Sequence, residues 1–550
     1  MTTVAVATAG AASAAVTDAV PGLVADRVAS RLFAMDHTLW GPEAEAEASV
    51  RLSWTGLARS SRPLVGEIAA LREELMSDSV DRVVLCGMGG SSLAPEVICA
   101  SEGTDIVILD SSHPQSVRSA LADLERTVVV VSSKSGGTVE TDSQRRAFIA
   151  AFEAAGIDPT TRMVVVTDPG SPLEQESRAA GYRVVTADPD VGGRYSALTA
   201  FGLVPAGLAG VDIGRLLDDA EAVADILATD SDDNPALRLG AVLAGTDPLR
   251  DKIMLVDNGT PIIGFGEWAE QLVAESTGKE GRGVLPIVVI PDPGTDAGSL
   301  LDAADITTIE LVGDIEEAEL STSSAAAVAG SLGAQLLLWE AATAVAGRLL
   351  GINPFDQPDV ESAKKAARRL LEDGATTASP PLFTDGDVEI RVLPEDGAGD
   401  EWIGSATNLP DAVAALLEQL DPDTGYVAVM AYLDRTGEDP DLARLPSLAP
   451  RLSRVVRRPV TFGWGPRFLH STGQYHKGGP AQGVYIQITE SSEPDLDVPG
   501  REFTFGEFIA AQAGGDAAVL GEHARPVLRL HLRGPGGRAA VIAALSAADA

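Results

Sequence analysis

Two glycine-bearing turns rich in hydroxyls are the first residues of this chain with chemistry to offer. In VVLCGMGGSSLAPEV, a β-branched run meets Gly87, Gly89 and Gly90, and then Ser91 and Ser92 at the start of a helical stretch. Glycines let a backbone approach a ligand closely, and the free N–H groups and dipole at a helix start favour an anion. The second turn, VVVVSSKSGGTVET, places Ser133, Lys134, Ser135 and Thr138 on a loop of the same kind. Hydroxyls, an ammonium and unpaired N–H groups together suit a phosphate monoester. At the ends of neighbouring parallel strands, two such loops would converge on the crevice where open α/β sheets bind ligands. Two other readings stay open. The turns could be ordinary strand-to-helix connections with hydroxyl caps. They could also belong to a nucleotide fold, for which Asp110 follows about twenty residues on, although the glycine spacing differs from the dinucleotide fingerprint.

The cations add a second signal. Lysine and arginine total 41, yet the lysines are Lys134, Lys252, Lys279, Lys364, Lys365 and Lys477 alone. Where arginine is the default cation, a retained lysine points to a role that needs a compact, titratable ammonium, with chance placement on a solvated face as the alternative. All but Lys252 fall in motif-bearing segments. Across the whole chain the net charge is −39. Binding nucleic acid or acidic lipid requires a basic surface that releases counterions, so neither is an expected partner. A small anionic substrate remains compatible, because a local nest of N–H groups outweighs distant, screened charge.

These loops need a scaffold. The 550 residues, 45% of them hydrophobic, allow two or three domains with their own cores. Residues 1–75 read as a helical N-terminal segment, its Ala/Thr/Ser-rich start as a frayed tail. From 76 to 230, the runs RVVLCGMG, DIVILD, TVVVVSSKS, RMVVVTD and YRVVTA alternate with alanine-rich helical stretches, the pattern of a parallel sheet with crossover helices. A second α/β layer spans 231–375, with strands in KIMLVD, LPIVVIPD and ITTIELVG and a long apolar helix over Ala325–Leu350. Pro, Gly, Ser and acidic residues between Glu372 and Asp400 read as a linker, and YVAVMAYLD, RPVTFGWG, GVYIQITE and PVLRLHLRG predict a smaller α/β unit over 401–550. No stretch reaches the ~20 apolar residues of a membrane span, and the start lacks the basic segment of a secretory signal. A cytoplasmic enzyme is the expectation. Cys86 and Cys99 sit in apolar surroundings, as reduced core thiols do.

With these residues in view, the chain resembles the phosphoglucose isomerase family. GMGGSSLAP and SSKSGGTVET are similar to the two phosphate loops of the sugar isomerase domain. GGRYSALTAFGLVP, QLVAESTGKEGRGVLP and INPFDQPDVESAKKAA resemble the family's arginine, glutamate and lysine motifs, in the family's order, over roughly Asp81–Leu371. Bacterial forms, including those fused to transaldolase in actinobacteria, are the most alike, although no transaldolase barrel fits before Asp81. The resemblance implies two sugar isomerase αβα domains with parallel sheets, and a homodimer. It also implies reversible isomerisation of glucose 6-phosphate and fructose 6-phosphate through a cis-enediol, in glycolysis and gluconeogenesis, with no cofactor. A dual glucose/mannose specificity and a non-catalytic sugar-phosphate sensor remain as alternatives.

Roles follow residue by residue from that resemblance. Glu275 is implied as the proton carrier, and its place between small residues in AESTGK gives the partial burial that improves a carboxylate as a base. Arg194 in GGRYS is implied as the cation facing the enediolate oxygens, where it favours the transition state. Gly90, Ser91, Ser133, Lys134, Ser135, Thr138, Gln271 and Gln357 are implied phosphate contacts. Lys364 is implied in opening the sugar ring, while Lys365 points about 100° away on the same helix.

One family feature is absent, since no histidine lies between Glu275 and Lys364. The segment FLHSTGQYHKGGP, with His470, His476 and Lys477, is the nearest source, and His476 or Lys477 is expected to fold over the site, for ring opening or phosphate binding. The alternative is a structural turn. His37, His113, His523 and His531 read as core or surface residues, and no cluster has zinc-ligand spacing, so no metal is expected.

Overall fold

The computed structural model describes residues 4–289, 301–372, 380–393 and 401–547. Sixteen strands among them form three sheets. They are β1 (Ala5–Gly10), β2 (Arg82–Gly87), β3 (Val107–Leu109), β4 (Thr127–Ser132), β5 (Met163–Thr167), β6 (Arg183–Thr186), β7 (Lys252–Asn258), β8 (Leu285–Val288), β9 (Ile306–Val312), β10 (Ser324–Ala329), β11 (Phe383–Asp385), β12 (Val388–Leu393), β13 (Tyr426–Tyr432), β14 (Val460–Trp464), β15 (Gly483–Glu490) and β16 (Val527–Leu532).

The first sheet, ordered β3-β2-β4-β5-β6, is parallel throughout. Its middle strand β4 is buried from end to end. A run of four valines suits that position, since helices cover both faces of a parallel sheet and polar residues have nowhere to point. The second sheet, β1-β10-β9-β7-β8, is parallel except for its edge strand β1, which runs antiparallel to β10 with Ala5 opposite Ala329. This corrects two expectations. The N-terminal segment opens with a strand rather than a tail, because AVATAG is small enough to lie flat against the alanine-rich AAAVA of β10. That alanine run is a strand for the same reason, and the long helix begins only at Leu332.

The third sheet, β11-β12-β16-β15-β13-β14, has four parallel strands flanked by the antiparallel β12 and β11. The β11–β12 hairpin falls inside the expected linker. Asp385 pairs with Val388 across a two-residue Gly386-Asp387 turn in which Gly386 has φ +55°, the backbone state that tight hairpins require. The rest of that linker, 373–379 and 394–400, and the end of the expected LPIVVIPD strand lie outside the described residues.

Six helices matter for the site: α1 (Leu93–Ser101), α2 (Val139–Ala154), α3 (Phe265–Thr277), α4 (Leu332–Leu350), α5 (Val360–Glu372) and α6 (Phe505–Glu522). The third unit packs on both others. Tyr426, Tyr475 and Tyr485 share a core with Ala274 of α3 and Leu285 of β8, and Phe505 joins Phe148 and Phe152 of α2. Arg467 bridges all three, donating to Asp110 after β3 (2.5 Å), to Glu267 on α3 (2.8 Å) and to Glu96 on α1. Replacing Arg467 would take the nearest cation from Asp110, which is 2% exposed, and breaking a buried pair in this way typically costs about 3–5 kcal/mol. Among the described residues, no helix is long and apolar enough to cross a membrane.

Candidate active site

Behind β2 the chain turns through Gly89, with φ +58°, into a short 3-10 turn at Gly89–Ser91. A Cβ at Gly90 would lie 1.9 Å from the carbonyl oxygen of Gly193, and one at Gly89 would lie 3.0 Å from Cβ of His470. The first glycine turn is thus pressed between the GGRYS turn and the third unit, and only a residue without a side chain fits.

That packing aims Arg194 at α3. Its guanidinium is 4% exposed as a residue and fully engaged. Nε donates to Ser276 Oγ (2.8 Å), Nη1 to Gln357 Oε1 (2.7 Å), and Nη2 to the carbonyls of Pro354 (2.7 Å) and Asp356 (3.1 Å). Nη1 also stands 3.4 Å from Glu275 Oε1. The other Glu275 oxygen accepts from Gln271 Nε2 at 3.2 Å, one turn earlier on α3, and the side chain is 14% exposed. A carboxylate held at both oxygens by a cation and an amide has a fixed direction, as a proton carrier requires. Beneath it, Lys279 donates to Asn353 O, Asp356 O and Asp356 Oδ1. Burial and the neighbouring Arg194 pull its ammonium down to about 8 despite Asp356.

The second loop leaves β4 at Ser133 and reaches α2 at Thr138. Ser133 Oγ accepts from Gly136 N (3.2 Å) and donates to Thr138 Oγ1 (3.3 Å), while Ser135 Oγ accepts from Gly137 N (3.2 Å). Ser135, Gly137 and Thr138 line a cavity of about 220 Å³, together with Glu140, Lys364, His470 and Lys477. Lys134 is turned elsewhere: its ammonium donates to the carbonyls of Pro189 (2.9 Å) and Val191 (2.5 Å) and stands 3.3 Å from Asp168. It fastens the loop to the end of β6 instead of offering its charge to the cavity.

The sequence-derived residues therefore fall into two adjoining groups. Arg194, Gln271, Glu275 and Gln357 form one, and Ser135, Thr138, Lys364 and Lys477 belong to the other; Glu275 and Arg194 do not line the cavity. The groups meet at His470, which is part of the cavity wall and whose carbonyl accepts from Gln271 Nε2 at 2.7 Å. Gly90 and Ser91 lie behind this junction, on the turn that packs against His470.

His476 is in neither group. Its ring stacks on Tyr426 at 5.8 Å, Nδ1 lies 3.0 Å from Tyr426 Oη, and the residue is 2% exposed. Burial, with Lys477 and Arg525 nearby, pulls the imidazole down to about 3, so it is a neutral core group of the third unit. The FLHSTGQYHKGGP segment does fold over the site, but with His470 facing the cavity. Lys477 contributes to the wall while its ammonium is paired with Asp516 at 2.5 Å.

Sequence reasoning gave no role to Glu140, Ser276 or Lys279. Glu140 accepts from Gln512 Nε2 (2.7 Å) and lies 3.3 Å from His470 Nε2. Its signal was its position two residues after Thr138 in the second loop motif, and Ser276 and Lys279 flank Glu275. Among the described residues, no group of three or more His, Cys, Asp or Glu could hold a metal ion.

No protein-family model matches the chain. It is similar to a probable glucose-6-phosphate isomerase of Haloarcula marismortui, 32% identical over 345 residues, covering 54% of this chain and 79% of that protein. A probable glucose-6-phosphate isomerase of Natronomonas pharaonis is also 32% identical, over 375 residues, covering 60% of this chain and 88% of that protein. Among solved structures, a glucose-6-phosphate isomerase of Chlamydia trachomatis superposes with a TM-score of 0.53 at 20% identity, over 65% of this chain and 86% of that one. A hypothetical protein from Thermus thermophilus gives a TM-score of 0.56 at 24% identity, over 66% and 99%. These two superpositions support the fold.

Proposed function

The chain belongs to the glucose-6-phosphate isomerase family, and from that premise we propose how its residues interconvert glucose 6-phosphate and fructose 6-phosphate. Aldose-ketose isomerisation moves one proton between carbons 1 and 2 and leaves negative charge on the enediol oxygens. The observation that carries the reading is the Glu275 carboxylate, directed by Arg194 on one oxygen and Gln271 on the other.

Glu275 removes the proton from carbon 2 of the open-chain aldose and returns it to carbon 1. The Arg194 guanidinium, already locked by four hydrogen bonds, faces the charge as it develops and needs no reorganisation. Phosphate is held at the start of α2 by Ser135, Thr138 and the N–H groups of the first helical turn, which the Thr138 side chain does not cap, with Lys364 supplying positive charge across the cavity. Gln357 keeps Arg194 in place, and Gln271 ties α3 to the wall of the cavity. Lys134 serves this arrangement by fixing its loop.

The test is to incubate the purified chain with glucose 6-phosphate and follow fructose 6-phosphate by NMR. Approach to a mixture of the two from either side is expected. Binding of fructose 6-phosphate without conversion would establish a sensor instead, and equal rates with mannose 6-phosphate would broaden the specificity. The proposal includes a homodimer in the cytoplasm, as the family resemblance implies, and sedimentation at micromolar concentration checks the assembly.

A further inference from the structure

We propose that the third unit carries a second binding site, for a small hydroxylated phosphate monoester, in the cavity between its sheet and α6. The strand order β16-β15-β13-β14 gives β13 its successor β14 on one side and β15 on the other, with all four strands parallel. Open α/β sheets bind ligands in the crevice that such a reversal opens beyond the carboxyl ends of the strands. A cavity of about 580 Å³ lies there, lined by Tyr432 at the end of β13 and by Ser491 and Ser492 just after β15. It is separate from the catalytic cavity, because α6 gives Ile509 and Gly514 to one and Phe508 and Gln512 to the other.

Charge and an orphaned hydroxyl point to what it holds. Arg391 on β12 stands directly opposite Arg529 on β16, and both line the cavity. Like charges so placed destabilise a sheet, and an anion clasped between them removes the repulsion. The planar guanidinium fork matches phosphate oxygens. Arg391 Nη2 also donates to Glu389 (2.7 Å) and Arg529 Nε to Gln487 (2.8 Å), bonds that hold the two forks in position. In the same wall Tyr432 is 2% exposed, and its phenol oxygen makes no hydrogen bond among the described residues. A buried hydroxyl left so is costly, and a polar ligand supplies the missing partner.

The opposite end of the cavity suits hydroxyls. Asp495 and Glu507 line it where α6 begins, beside the strand ends, whereas the Arg391–Arg529 pair stands one row deeper in the sheet than Glu389–His531. Asp495 accepts from Thr504 Oγ1 (2.5 Å) and Gly506 N (2.8 Å), and Glu507 from Thr504 N (2.9 Å), so both carboxylates are fixed. Such groups accept from hydroxyls and repel a second anion. Of the other acids in the wall, Glu389 is paired with Arg391 and Glu490 with Arg538 (3.1 Å). His531, bonded to Thr489 (3.0 Å) and Ser491 (3.1 Å), is pulled below its ordinary value by burial and adds no charge. The phosphate therefore faces the arginines, and the hydroxylated remainder faces Asp495, Ser491 and Ser492.

The probe is glucitol 6-phosphate, which has one phosphate and a chain of hydroxyls and cannot isomerise, bound to the full chain in equilibrium dialysis. Ala510 lines the cavity from the exposed side of α6, so Ala510→Phe fills the space and leaves both arginines in place. This variant is expected to bind about one molecule fewer per chain than wild type. Arg391→Gln combined with Arg529→Gln should weaken that same molecule at least tenfold, the size of a lost bond to a charged group. Glucitol 1,6-bisphosphate should show no difference between wild type and Ala510→Phe, because its second phosphate meets Asp495 and Glu507. Melting temperatures establish that the variants are folded, and if the arginine pair proves necessary for folding, Ala510→Phe decides alone. Equal binding of glucitol 6-phosphate by wild type and a folded Ala510→Phe overturns the proposal. An equal loss of the bisphosphate overturns its ligand class. The readout is a difference in binding, so a chain that converts no glucose 6-phosphate would sink the isomerase reading and leave this result unaffected.

Discussion

The Arg194 guanidinium lies 3.4 Å from the Glu275 carboxylate, although the two residues come from different sheets' connections. Arg194 is delivered by the turn that buttresses Gly90, and Glu275 by α3, so the pair exists only when the first two α/β layers are docked. Their neighbours divide the labour: Gln271, Ser276 and Gln357 hold the pair, and the second loop with α5 faces the cavity.

Lysine cannot reproduce what Arg194 does. A single ammonium would have to replace a planar fork that reaches Ser276, Gln357, Pro354 and Asp356 at once. Arg194→Lys is expected to lower kcat by about 10²–10³-fold, as when an oxyanion donor is lost, with less than a tenfold change in KM. Steady-state kinetics check this, and a loss confined to KM would place Arg194 in ground-state binding.

A methyl group at Gly90 has no room, since it would sit 1.9 Å from Gly193 O. Gly90→Ala must push the GGRYS turn away and carry Arg194 with it. The expected outcome is a fall in kcat/KM of at least 100-fold, the loss that a misplacement of about 1 Å can cause, with a smaller change in Tm than in activity. Activity within threefold of wild type would show that the two turns are not coupled.

His476 should govern acid stability instead of chemistry. Its folded value is about 3 against an ordinary 6.5, so the unfolded chain binds a proton that the folded chain refuses. The stabilisation is complete above pH 6.5 and is lost as pH falls towards 3, by up to about 1.4 kcal/mol per pH unit. His476→Phe keeps a ring against Tyr426 but cannot titrate. It should be less stable than wild type at pH 7.5, where the Tyr426 bond is lost, and show a flatter decline in Tm between pH 6.5 and 4. Parallel declines would remove His476 from the acid response.

The sequence announced the chemistry more clearly than its arrangement. Both loops, the GGRYS turn and the Glu275 helix are local patterns, because a phosphate nest or a glycine turn is made by consecutive residues. The parallel sheets were legible for a similar reason, with β4 written as an unbroken run of valines. What could not be read depended on distant partners. His470 and His476 sit in one segment, and only Tyr426 and Tyr485, brought in by β13 and β15, decide that His476 is core. Lys134 belongs to a phosphate-like loop, yet the carbonyls of Pro189 and Val191 claim its ammonium. The alanine run of β10 has no periodicity of its own and becomes a strand because β1 and β9 lie on either side.

Glu275→Gln keeps the size of the side chain and one acceptor oxygen for Arg194 or Gln271 but removes the basic oxygen. The decisive measurement is exchange of the carbon 1 proton of fructose 6-phosphate with deuterium oxide, on wild type and this variant. The account predicts exchange by the wild type, and at least a thousandfold slower exchange by a variant that is still folded and still binds the substrate. Exchange by the variant within tenfold of wild type would contradict it, because the proton would then travel on another group.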